Sequence, residues 1–265
     1  NPEGCANMAV GVSDGTNLAR AQQSINFSAG GVWEFSFDFN GVFNSSAATL
    51  PAVDNLGSFS LQYSVAVPPA TTPTRFFQTL MSWGATACTL PDLTPLPNNT
   101  ATADKFHLAI GHDVQFPASP AVGNFMCPTA TWSNLPVNHW YRVKVRWNFN
   151  TAQITQGSIQ DLTLGTAAEV TDLTPFNWYL YGGQNSTYPL PSEIRLFGGG
   201  NSATPPPGNI AAFDNVYVAP NSTTVVPCAA PVTCYANCDA STIAPCPNVN
   251  DFICFNNKFA AGSSS

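Results

Sequence analysis

At 265 residues the chain is long enough for one large core, or for a large domain with a small one beside it. Charged residues make up only 9% of it and the net charge is −7, which excludes the clustered Lys and Arg that nucleic-acid binding requires. No apolar run approaches the roughly 20 residues that span a bilayer, and the absence of a charged-then-apolar leader at Asn1 gives the expectation of a mature form whose signal peptide has been removed.

In chain order the dominant pattern is alternation with a period of two, which puts successive side chains on opposite faces of a strand. Trp33, Phe35, Phe37 and Phe39 alternate with Glu34, Ser36, Asp38 and Asn40. Phe59, Leu61, Tyr63, Val65 and Val67 alternate with Ser60, Gln62, Ser64 and Ala66. Further strands are expected over residues 76–83, 105–110, 154–164, 176–181, 193–197 and 212–218. Between them stand turn and breaker clusters, at Pro68-Pro69 and over 91–99, 117–120, 198–200 and 205–208. No long segment before residue 248 has helical spacing. Many strands joined by Gly- and Pro-rich connections predict an all-β, antiparallel jelly roll or β-sandwich.

The most regular stretch is 139–150. Tyr141, Val143, Val145, Trp147 and Phe149 fall on one side; Trp140, Arg142, Lys144, Arg146 and Asn148 fall on the other. One side is the β-branched and aromatic surface that packs on a pleat. The other carries three of the chain's eight basic residues. A central strand with one buried and one wet face is expected, its cations pairing with Glu34 or Asp38 on a neighbour.

That strand, the turn at 148–152, the strand carrying Ser158-Ile159-Gln160-Asp161 and the later run Phe213-Asp214-Asn215-Val216 together resemble the concanavalin A-like lectin/glucanase and laminin-G-like sandwiches. The resemblance covers about residues 8–218. It implies a lectin-like sandwich over 1–218, followed by a linker over 219–233. Asp214 either binds calcium, as in some lectin-like sandwiches, or fixes a turn.

Of the eight cysteines, Cys228, Cys234, Cys238, Cys246 and Cys254 crowd near the C-terminus, while Cys5, Cys88 and Cys127 stand apart. No spacing fits zinc, so the reading is disulfides in an oxidising compartment, outside the cell or on its surface. Cys88 and Cys127 are candidates to pair with each other, and Cys238 and Cys254 are candidates to staple the tail. The run from Cys234 to Gly262 resembles half of a dockerin repeat, in the cysteine-containing form of planctomycete secreted proteins. The resemblance implies a small, disulfide-rich, EF-hand-like helical module over 234–265. Calcium would then be held by Asn237, Asp239, Ser241, Asn248 and Asp251, since that ion takes six to eight oxygen ligands. A metal-free remnant held by disulfides is the competing reading. Phe252, Phe255 and Phe259 have helical spacing and form an apolar contact face.

Catalytic patterns are sparse. Glu34-Phe35-Ser36-Phe37-Asp38 only partly matches the carboxylate row of glucanases. Positions four apart on a strand lie about 13 Å apart, whereas a retaining pair of carboxylates needs about 5 Å. Trp132, Trp140, Trp178, Tyr179 and Tyr181 are read chiefly as core residues, with stacking on sugars as the alternative. His107, His112 and Asp113 are read as loop or surface residues. Sequons stand at Asn26, Asn44, Asn98, Asn185 and Asn221. The sequence taken alone therefore reads as a non-catalytic extracellular structural or adhesive protein that polymerises with copies of itself. A carbohydrate-binding lectin-like module is the alternative, and a divergent glycan hydrolase is the third reading.

Overall fold

The computed structural model describes residues 9–12, 19–42, 53–62, 75–84, 88–94, 96, 104–113, 124–180, 190–198 and 210–220. All of them lie in one compact unit, Ala9–Asn221. In chain order the strands are β1 (Ala9–Val12), β2 (Ala19–Ser24), β3 (Val32–Val42), β4 (Val53–Gln62), β5 (Arg75–Gly84), β6 (Lys105–His112) and β7 (Asn124–Met126). Then come β8 (Leu135–Pro136), β9 (Trp140–Asn148), β10 (Gln153–Asp161), β11 (Glu169–Asp172), β12 (Glu193–Gly198) and β13 (Ile210–Pro220). The only helical turns among the described residues are two short 3-10 turns, Ala130–Trp132 and Thr174–Phe176.

The strands form two antiparallel sheets. Sheet one runs β1-β13-β3-β9-β10-β11, and sheet two runs β2-β12-β4-β5-β6-β7 with β8 added to β6. The alternation dictates how they meet. Phe35, Phe37 and Phe39 of β3 and Tyr141, Val143, Val145 and Trp147 of β9 all turn inward and are buried. The Phe35 ring lies flat on Phe59 of β4, with centroids 4.1 Å apart. Phe39 packs against Phe106 of β6 and Phe213 of β13. Offset and edge-on aromatic pairs of this kind add to the free energy of burial alone. The all-β sandwich expected from the alternation is present. Beyond sheet two, Cys88 and Cys127 form a disulfide, beside a backbone bond from Cys127 N to Thr89 O of 3.0 Å.

Two expected strands differ. β4 begins at Val53, earlier than the apolar alternation from Phe59 suggests. Residues 176–180, the described part of the strand expected over 176–181, do not form one. Pro175 opens the 3-10 turn and Asn177 ends it in the left-handed region at φ 53°, leaving Tyr179 to make isolated bridges to Asp113 and Gln153. Proline fits a first helical turn and asparagine tolerates the left-handed region, so the turn chemistry overrides the apolar pattern. The helical module expected over 234–265 lies outside the described residues.

Gly57 of β4 leaves no room for a side chain, hemmed in by β12 of its own sheet and β13 of the other. A Cβ there would stand 2.7 Å from the Phe197 carbonyl oxygen and 3.2 Å from Ala211 Cβ. Because backbone cannot move aside as a flexible side chain can, Gly57→Ala is expected to destabilise the sandwich by about 1–3 kcal/mol. A lower urea midpoint with an unchanged slope would show it.

Candidate functional site

The side of sheet one that faces away from the core is a continuous polar surface. Pairing fixes its rows. Glu34 lies opposite Arg146, and Asp38 opposite Arg142. Between them Lys144 lies opposite Ser36 on one side and Ser158 on the other. Tyr217 stands beyond Ser36, and Val170 beyond Ser158. Trp140 sits opposite Asn40 on the same face.

Two ion pairs hold this face in shape. The Arg142 guanidinium donates to both Asp38 oxygens at 2.8 and 2.9 Å, and Arg146 Nη2 donates to Glu34 at 2.7 Å. Asp38 is fully buried, and it also accepts from Asn215 Nδ2 at 2.7 Å. Asn215 sits at φ 48° in a bulge of β13, where its backbone N–H donates to Asp214 Oδ1. The Phe213-Asp214-Asn215-Val216 run therefore builds a bulge whose amide locks a carboxylate, and its Asp214 shapes that turn. Such a bulge re-aims the residues after it, which here are Val216 and Tyr217. Among the described residues Lys144 alone on β9 has no carboxylate partner, and it is half-buried.

Glu34 and Asp38 are thus engaged by arginines rather than converging on a common point. Trp132 and Trp178 are buried in the core, whereas Trp140 and Tyr179 are half-buried. His107 and His112 lie on opposite faces of β6, but the expectation that they are loop or surface residues is corrected. Both are strand residues and both are buried, as is Asp113. His107 Nδ1 accepts from Asn134 N at 3.3 Å, and His112 stacks on Trp178 with centroids 4.2 Å apart. His139 donates from Nδ1 to Asp161 at 2.8 Å.

Asn26 is exposed in the turn after β2, where Ser28 N donates to its side chain. The remaining sequons at Asn44, Asn98, Asn185 and Asn221 lie outside the described residues. So do Tyr181, the calcium candidates Asn237, Asp239, Ser241, Asn248 and Asp251, the cysteines Cys238 and Cys254, and the contact face of Phe252, Phe255 and Phe259. No group of three or more His, Cys, Asp or Glu among the described residues is placed to hold a metal ion.

A second polar cluster escaped the sequence reading. Ser58, Ser60 and Gln62 of β4 and Glu193 and Arg195 of β12 point away from the core of sheet two, yet all are buried. Arg195 pairs with Glu193, and Gln62 Nε2 donates to Ser60 Oγ at 2.6 Å. Alternation of Ser and Gln with Phe and Leu announces a polar face. It does not announce that the face is dry.

No family model matches the chain, and no curated protein does. Solved structures match its fold. An endo-β-1,4-glucuronan lyase from Trichoderma reesei is 10% identical, with 80% of each chain covered and a TM-score of 0.40. An alginate lyase from Aplysia kurodai is 8% identical, covering 74% of this chain and 72% of that one, with a TM-score of 0.40. A carbohydrate esterase of bacteriophage phi24B is 12% identical, covering 81% and 90%, also at 0.40. These likenesses concern the fold. The expectation that the chain is not an enzyme is not upheld: the structures of similar fold include polysaccharide lyases, and the likeness extends to the coarse fold alone. No helix among the described residues is long and apolar enough to cross a membrane.

His112 is fully buried, and desolvation lowers its pKa from 6.5 to about 4, against smaller opposing effects of the Ile110 carbonyl and Asp113. Its Nδ1 lies 3.2 Å from that carbonyl, and its Nε2 has no hydrogen-bond partner among the described residues. Below pH 6.5 the unfolded chain takes up a proton that folded His112 refuses until about 4. Stability is therefore full above pH 6.5 and is expected to fall by about 3 kcal/mol as the pH drops through that window. Burial lowers His107 in the same direction. His112→Phe, which keeps a ring against Trp178, should flatten most of the slope in denaturant unfolding measured across the window. A slope equal to that of the unaltered protein would refute the assignment.

Proposed function

We propose that the chain is a carbohydrate-binding β-sandwich that engages a glycan through the outer face of sheet one. One observation carries this reading. Lys144, with no carboxylate partner among the described residues, stands between Ser36 and Ser158 in a row that ends on Tyr217, a ring 41% exposed. Sugars are recognised by flat apolar rings together with fixed hydrogen-bonding groups, and both are present here. The Ser36 hydroxyl and the Lys144 ammonium supply donors beside the buried Ser158, and Trp140 adds a second half-exposed ring. The two Arg–carboxylate pairs fix the surface in advance, which lowers the ordering cost of binding.

Cleavage of a glycan at a separate place is the second reading, favoured by the Glu193–Arg195 pair, a buried carboxylate beside a guanidinium on the outer face of sheet two. The Cys88–Cys127 disulfide supports an extracellular or cell-surface location, since such bonds persist in oxidising compartments. The linker expected from 219 begins later, since Ala219 and Pro220 close β13; for residues 221–265 the sequence alone supports a linker and a calcium-binding, self-associating module.

Glycan arrays followed by titration calorimetry test the first reading. Lys144→Ala is expected to weaken binding about tenfold or more, a loss of about 1.4 kcal/mol or above, with the far-ultraviolet spectrum unchanged. Absence of binding to any polysaccharide, or equal binding by the variant, rejects it. Incubating the bound polysaccharide with the protein and assaying new chain ends decides the second reading. Release that Glu193→Gln abolishes supports turnover, and no release ends it.

A further inference from the structure

β1 covers the edge of β13 only from Ile210 to Phe213. Among the described residues no strand pairs with that edge further on, from Val216 to Pro220, while β3 holds the opposite edge. Bare strand edges invite pairing with another chain, so proteins guard them with lysines, prolines or inward charges. Val216-Tyr217-Val218-Ala219 has no such guard before Pro220. Val216 and Tyr217 are also 37% and 41% exposed, although both are large and apolar.

Beside this edge lies a cleft of about 360 Å³. Its walls are Ile25, Ile194 and Leu196 from sheet two and its margin, Val216, Tyr217 and Val218 from β13, and the neutral residues Ala21, Gln22 and Gln23 of β2. None of these carries a charge, in a chain whose net charge is −7. A basic or acidic partner would find nothing there to pair with. Two copies of this chain, each of net charge −7, would meet here without bringing like charges together.

We infer that this edge and cleft form the contact between two copies of the chain, with β13 of each adding antiparallel to β13 of the other from Val216 onward. An antiparallel edge pairs with itself about a two-fold axis, so the surface is self-complementary and the assembly closes as a dimer. Backbone hydrogen bonds supply the pairing, and apolar side chains placed in each cleft supply the burial. The contact meets the glycan row at Tyr217, while Lys144 and Ser158 lie further along sheet one.

Sedimentation velocity of the full chain over a concentration series tests this. A reversible dimer is expected, and Val216→Lys should shift the mass to monomer without lowering the melting temperature. Val216→Ile should remain dimeric. Should the lysine variant misfold, Val216→Asn takes its place with the same expectation. A full chain that is monomeric at every concentration overturns the inference, as does any assembly that Val216→Lys leaves intact, including one held by residues beyond β13.

Discussion

The flat contact of Phe35 on Phe59 between the two sheets decides the rest of the molecule. Once β3 turns its phenylalanines toward β4, the pleat leaves Glu34, Ser36 and Asp38 no place but the opposite face. The same holds for β9, whose inward Val143, Val145 and Trp147 send Arg142, Lys144 and Arg146 outward beside them. A slip of one residue between β3 and β9 would turn three cations into an aromatic core. The register is therefore fixed by the desolvation cost of the wrong alternative, as well as by the contacts of the right one.

The outward face inherits that order and uses it unevenly. Asp38 is fully buried and would be costly as a lone charge, but two guanidinium nitrogens and the Asn215 amide satisfy it. Pairs of this kind add little net stability compared with apolar packing, although removing one partner is costly. Their effect here is geometric. Two of the three cations on β9 are fixed, and the third stands between hydroxyls. Charge balance on a sheet face needs carboxylates opposite cations, so two serines opposite Lys144 are a departure from that balance.

The fold was legible because period-two alternation is local. Each of Phe35, Phe37, Val143 and Val145 could be assigned to a face from its neighbours alone, and the pairing of the β9 cations with Glu34 or Asp38 was legible too, but not which cation meets which carboxylate. Where the reading failed, the deciding fact was not local. Residues 176–181 looked like a strand because Phe176, Trp178 and Leu180 alternate, yet Pro175 and Asn177 spend the segment on a turn. The alternation of Ser60 and Gln62 with Phe59 and Leu61 marks a polar face, but the burial of that face depends on what lies over it. The bulge at Asn215 was also out of reach. A residue with positive φ is visible only once the strand on which it sits has a partner, and that partner, Asp38, is 177 positions away.

The two proposed surfaces share a strand, and this couples them. Tyr217 ends the Lys144 row, while its neighbour Val216 lines the edge cleft, and both project from the bulge that Asn215 sets and Asp38 anchors. Two copies joined along β13 would extend sheet one through the two-fold axis, so the Lys144 rows of both copies would lie on one continuous face. A polymeric glycan lying across such a face would meet two sites at once. The second contact then forms at the high effective concentration set by the first, and weak individual sites give firm attachment. The same geometry places the buried Arg142–Asp38 pair between assembly and recognition. Loosening it would release the bulge, and with it the residues that serve both surfaces.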